Sequence, residues 1–85
     1  MKNKNDIQES VNKIIELAGG ENNIITFSHC ATRLRLKLKD DNLQKMDELK
    51  KVPGVMGLLE RGGETQIVIG NAVQNYYFEM EKILK

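Results

Sequence analysis

Residues 33–39, RLRLKLK, alternate Arg33, Arg35, Lys37 and Lys39 with Leu34, Leu36 and Leu38. A period of two is the repeat of an extended strand, whose successive side chains point to opposite faces; an α-helix would scatter these leucines around its axis. The strand therefore has one apolar face and one cationic face. A sheet built on it must be covered on the leucine side and can meet water on the other, which is the behaviour of an antiparallel sheet packed on one face.

The cover can be only one layer thick, because an 85-residue chain is a single small domain that buries roughly 60% of its unfolded surface. Ile7, Val11, Ile14 and Ala18, with Leu17 beside them, predict a helix over residues 6–18, capped by Asp6 and ended by Gly19 and Gly20. The first five residues, MKNKN, are expected to be disordered. The β-branched and aromatic run NNIITFSH predicts a strand over residues 24–28. Asp40, Asp41 and Asn42 supply a turn, and Leu43, Met46, Leu49 and Lys50 fit a short amphipathic helix ending before Pro53 and Gly54. VMGLLE and TQIVIG read as two strands joined through Arg61, Gly62, Gly63 and Glu64, a hairpin suited to paired glycines. Val73, Tyr76, Tyr77, Met80, Ile83 and Leu84 form a last helical stripe, with Asn71 as its cap. The order α-β-β-α-β-β-α predicts an α+β domain over residues 1–85: a four-stranded antiparallel sheet with three helices on one face.

Composition narrows the function. Thirteen basic and twelve acidic residues leave a net charge of +1, too little for a nucleic-acid binder held by its overall field, so useful electrostatics must be local. No apolar run reaches the roughly 20 residues of a membrane span, and the start lacks a secretory signal, which predicts a cytoplasmic chain with no membrane insertion of its own. One cysteine excludes an internal disulfide, and no Cys and His cluster has metal-ligand spacing; neither metal nor cofactor is expected. Nothing in the pattern calls for an obligate dimer.

Cys30 falls in the short connection before the cationic strand, within SHCATRLRLKLK. A lone cytosolic cysteine is more often a small buried hydrophobe, but a polar turn is a poor place to bury one. Nearby cations and unpaired backbone N–H groups lower a thiol pKa from its usual value near 8.5 and raise the fraction of nucleophilic thiolate. Arg33 and Arg35 lie one pleat apart on one face and form a fork for an oxyanion, which guanidinium groups bind bidentately. Thr32 adds a hydroxyl donor, and the turn's N–H groups can make an anion-binding nest. Phosphoryl transfer asks mainly for positioning and charge stabilisation, so a thiolate with arginine donors is a sufficient kit. His29 stands beside the thiol, more as a turn residue than as a general base, while Lys37 and Lys39 read as a solvated face.

HCATRLR, then VPGVMG, then GGETQIVIGNAV resemble the enzyme IIB domain of the bacterial phosphoenolpyruvate-dependent sugar phosphotransferase system, over residues 6–84. The likeness is to the glucose/glucoside superfamily, in the branch of β-glucoside, sucrose, trehalose and N-acetylmuramate transporters. Ser28 stands two positions before the cysteine, where the glucose branch carries an acid. The resemblance implies a phosphocysteine sugar phosphotransferase: a histidine of enzyme IIA passes a phosphoryl group to Cys30, which gives it to a sugar held in the membrane IIC domain. By the same motif Arg33, Arg35 and Thr32 would steady the phosphoryl group, with Gln66 and His29 in support. The expected partners are phosphorylated IIA and sugar-loaded IIC; family members of this branch usually continue into IIC, so the chain is expected to be an excised domain or a free-standing homologue.

Two rival functions are open at this level. A binding module could dock an acidic or nucleic-acid partner on the basic strand with Cys30 incidental, and a redox-responsive thiol could be oxidised reversibly, although it would lack an internal resolving cysteine.

Overall fold

The computed structural model describes residues 4–84. Its main elements are α1 (Lys4–Leu17), β1 (Ile24–His29), β2 (Arg33–Leu38), α2 (Met46–Leu49), β3 (Gly57–Arg61), β4 (Glu64–Val68) and α3 (Val73–Leu84), with short 3-10 turns at Glu21–Asn23 and Asp41–Leu43. The four strands form one antiparallel sheet in the order β1-β2-β4-β3. The second hairpin thus inserts β4, not β3, beside the cationic strand.

Alternation on β2 does what its sequence predicts. Leu34, Leu36 and Leu38 are buried with Ile67 of β4 against Val11, Ile14, Ile15 and Ala18 of α1 and Val73, Tyr76 and Met80 of α3. Arg33, Arg35 and Lys37 take the opposite face, and in-register pairing carries that face outward through Val68, Gln66 and Glu64 of β4. The helices form the single covering layer, and the other sheet face stays open. No helix among the described residues is long and apolar enough to cross a membrane.

Several boundaries differ from the sequence expectation. Lys4 and Asn5, expected to be disordered with the three residues before them, already belong to α1; residues 1–3 lie outside the described residues. Asp6 consequently sits within the first turn rather than at a cap. The predicted second helix is split. The Asp40 carboxylate accepts from the Asn42 amide and fixes a 3-10 turn, then the Lys45 amide leaves to donate to the Leu17 carbonyl, so α2 starts only at Met46. Leu43, read as part of that helix's apolar stripe, is 51% exposed. Strand β4 ends at Val68 rather than Gly70, because the next two amides turn to a different acceptor near Cys30. Gly62 and Gly63 both have positive φ, 58° and 82°, as a two-residue hairpin turn of this hand requires.

At the end of the sheet far from Cys30, a buried amide fixes the register. Asn23 Nδ2 donates to the carbonyls of Ala18 and Asp40 at 2.8 and 3.0 Å, and its Oδ1 accepts from the Asp40 amide at 3.0 Å. The side chain ties the end of α1 to the exit of β2. Gly19 makes the room, since a Cβ there would lie 2.5 Å from Asn23 Nδ2.

Neighbouring residues of β2 should therefore respond oppositely to truncation. Leu36→Ala is expected to lower the unfolding free energy by ~3 kcal/mol, while Lys37→Ala on the exposed face changes it by less than about 0.5 kcal/mol. Urea denaturation of both variants checks this; equal losses would contradict the one-sided sheet.

Candidate functional site

Cys30, Ala31 and Thr32 link β1 to β2. The Cys30 amide donates to the Arg33 carbonyl at 2.9 Å, closing a tight connection with Ala31 and Thr32 at its tip. A two-residue hairpin of the usual primed types needs positive φ, yet no non-glycine residue among those described adopts it. The turn opens differently. The backbone N–H groups of Thr32 and Arg33 are directed at the Cys30 sulfur.

That arrangement holds the thiol pKa below its ordinary value. The Thr32 N–H is the main cause and the Arg33 N–H the next; partial burial opposes them, and the Arg35 guanidinium adds a hydrogen bond and its positive charge. These donors stabilise the thiolate over the thiol. Cys30 is partly exposed and Ala31 and Thr32 are exposed, so the sulfur is both activated and within reach of solvent.

The loop is itself anchored. The Thr32 carbonyl accepts from the amides of Ile69 and Gly70, each at 2.9 Å, which joins the tip to the connection between β4 and α3. Met56 lies against the same connection, with its sulfur 3.4 Å from where a Gly70 Cβ would sit, and is 75% exposed.

Cross-strand pairing lays the polar groups out in rows. The row through Arg35 runs Ser28, Arg35, Gln66, Leu59 across the open face, and Arg33 pairs with Val68 one row nearer the loop. Gln66 is buried although it is on the open face, and its Oε1 accepts from Arg33 Nη1 at 3.0 Å. It holds one guanidinium in place, while Arg35 reaches the sulfur with a side-chain hydrogen bond.

Of the residues singled out from sequence, Cys30, Arg33, Arg35 and Gln66 gather at this loop and the adjoining open face, and Thr32 contributes its backbone on both sides, N–H to sulfur and carbonyl to Ile69 and Gly70. His29 is directed elsewhere. It pairs with Leu34 on the helix-covered face, its ring lies 4.6 Å from that of Tyr77 on α3, and its Nδ1 donates to the Cys30 carbonyl at 3.0 Å. It braces the loop from behind, and the groups that lower the thiol pKa do not include it. Sequence reasoning missed Glu64, read only as a turn residue. Period-two alternation of Glu64 with Gln66 would have placed it on the arginine face had the pairing of β4 with β2 been known.

Comparison with known proteins gives a consistent result. Residues 12–43 match the family model described as phosphotransferase system, EIIB. The chain is 43% identical over 70 residues to a PTS system beta-glucoside-specific EIIBCA component of Halalkalibacterium halodurans, covering 82% of this chain and 11% of that protein. It is 39% identical over 74 residues to a PTS system sucrose-specific EIIBC component of Bacillus subtilis, covering 87% of this chain and 16% of the other. It therefore spans only a small fraction of these relatives' length. A crystal structure of one domain of the PTS system IIabc component from Clostridium difficile superposes with a TM-score of 0.91 at 37% identity, covering 96% of this chain and 86% of that one.

The local electrostatics predict a reactive thiol. The pH dependence of Cys30 alkylation by iodoacetamide should have its midpoint below the ordinary value of about 8.5. Arg35→Gln should move the midpoint upward and still leave it below that value, because the two amides remain; a wild-type midpoint at or above the ordinary value would contradict the assigned contacts.

Proposed function

This chain belongs to the EIIB family of the phosphotransferase system, and on that footing we propose that Cys30 carries a phosphoryl group from a histidine of enzyme IIA to a sugar bound in a membrane IIC domain. The observation that supports it most directly is the sulfur's surroundings: two backbone N–H groups and the Arg35 guanidinium directed at one partly exposed thiol.

In the first transfer the thiolate attacks phosphorus, the P–N bond of the phosphohistidine breaks with its electron pair staying on the ring, and the ring nitrogen recovers a proton from solvent. In the second, a sugar hydroxyl attacks phosphorus, the S–P bond breaks with its electrons returning to sulfur, and the hydroxyl proton is released on the sugar side. Both transition states place negative charge on the three equatorial oxygens and demand donors fixed before the reaction. The Thr32 and Arg33 amides stand at the sulfur, where charge leaves and returns. Arg33, held by Gln66, and Arg35, one pleat further along β2, present guanidinium groups to the transferring oxygens. The Thr32 hydroxyl lies on an exposed side chain at the same tip and is a further donor.

The docking rim is the loop end of the sheet, where Ala31 and Thr32 are exposed beside the thiol and Met56 is exposed against the connection that anchors Thr32. A relay must release each partner quickly, which fits a small contact, below about 1,200 Å² in total.

With the general phosphotransferase proteins, phosphoenolpyruvate, Mg²⁺ and a matching IIA, intact-mass measurement should show one phosphoryl adduct on the wild type and none on Cys30→Ser. An adduct that persists without the thiol would overturn the reading. Arg33→Lys and Arg35→Lys keep charge but lose the planar fork, so onward transfer to sugar should fall at least about tenfold in each, a single lost donor in such a site being worth two orders of magnitude in known cases. Sugar phosphorylation at the wild-type rate in both variants would remove the arginines from the mechanism.

A further inference from the structure

The row beyond Arg35, as seen from Cys30, contains Lys37, Glu64 and Arg61 in register. Glu64 is the only carboxylate among the strand residues that pair on the open face. Its Oε1 accepts from Gln66 Nε2 at 3.4 Å and lies 4.0 Å from Arg35 Nη1. The Arg35 and Glu64 side chains are 41% and 36% exposed, while Arg35 Nε is buried without a hydrogen-bond partner among the described residues. Arg35 therefore stands between two acceptors, the sulfur on the loop side and a carboxylate on the far side. Its Nε is enclosed although the side chain as a whole is partly exposed.

We propose that Glu64 is a positioning counter-ion that shares Arg35 with the reacting sulfur and so limits how tightly the site holds a phosphoryl group on Cys30. The inference rests on the relay function proposed above and deepens it. A group that both accepts and donates phosphorus gains nothing from over-stabilising the phosphorylated ground state, because such binding raises the barrier to the next transfer. Glu64 acts on the site in two ways, of which the first moderates that grip. Its charge competes with the phosphoryl oxygens for Arg35. Through Gln66 it also orients Arg33: with Nε2 on the carboxylate, the Gln66 amide must turn its Oε1 to the guanidinium, and the reversed amide would set donor against donor.

The test is the equilibrium of phosphate between IIA and Cys30. Wild type, Glu64→Gln and Glu48→Gln, the last removing the same charge from α2, are phosphorylated by the phosphoenolpyruvate-driven chain. Each is then mixed with excess unphosphorylated IIA, and the partition is read by intact mass at low salt and at 0.5 M NaCl. Glu64→Gln should shift the equilibrium toward phospho-Cys30 by roughly two- to fivefold at low salt, the range for a half-exposed ion pair. The shift should shrink at high salt, and Glu48→Gln should match wild type. A role for Glu64 in folding alone would not give a salt-sensitive partition. If wild type forms phospho-Cys30 and Glu64→Gln shows the same equilibrium or one shifted toward IIA, the counter-ion role is wrong and the relay stands. If wild type takes up no phosphate on Cys30, both fall together.

Discussion

Burial of three leucines on alternate positions of β2 is the constraint from which the site follows. Leu34, Leu36 and Leu38 must all face the helices, and a one-residue slip would expose all three while driving Arg33, Arg35 and Lys37 into the core. The core therefore decides the side on which the guanidinium groups emerge. Pairing with β4 then decides what lies beside them, bringing Gln66 and Glu64 onto the same face. Hydrophobic packing on one face of the sheet builds an electrostatic device on the other.

The sulfur's activation is mostly a backbone effect. Thr32 and Arg33 supply N–H groups that need no side-chain ordering, because the turn fixes them, and Arg35 adds the one side-chain charge. This reconciles a net charge of only +1 with the anionic group proposed for the site: the strand residues paired on the open face hold four cations, Arg33, Arg35, Lys37 and Arg61, against the single Glu64. Gln66 is buried there at a desolvation cost that its bonds to Arg33 and Glu64 offset. The same bonds make it a fixed support rather than a solvated side chain.

Much of this was legible in the residues themselves. Strong periodicity gave β2, α1 and α3, and a sole thiol in a polar turn ahead of two arginines pointed to Cys30. The second helix was misread because its leucine and methionine spacing competes with tertiary bonds, the Asp40 cap and the Lys45 amide on Leu17, that no local pattern reveals. Gln66 was accessible only through family resemblance. Glu64 was not, because its position beside Arg35 depends on which strand lies next to β2. The side taken by His29 follows from its pairing with Leu34, and the ring it meets there, Tyr77, comes from the other end of the chain.

The doubled acceptor at Thr32 has a consequence for traffic. With the Ile69 and Gly70 amides both fastened to the Thr32 carbonyl, the Cys30 turn is riveted to the junction from which α3 departs. Such a tip cannot swing from one client to another in the manner of a swivelling carrier arm. In the relay proposed for it, donor and recipient must each travel to the same stationary point, and occupancy by one shuts out the other. Direction would then come from the order of visits and not from any motion of the domain.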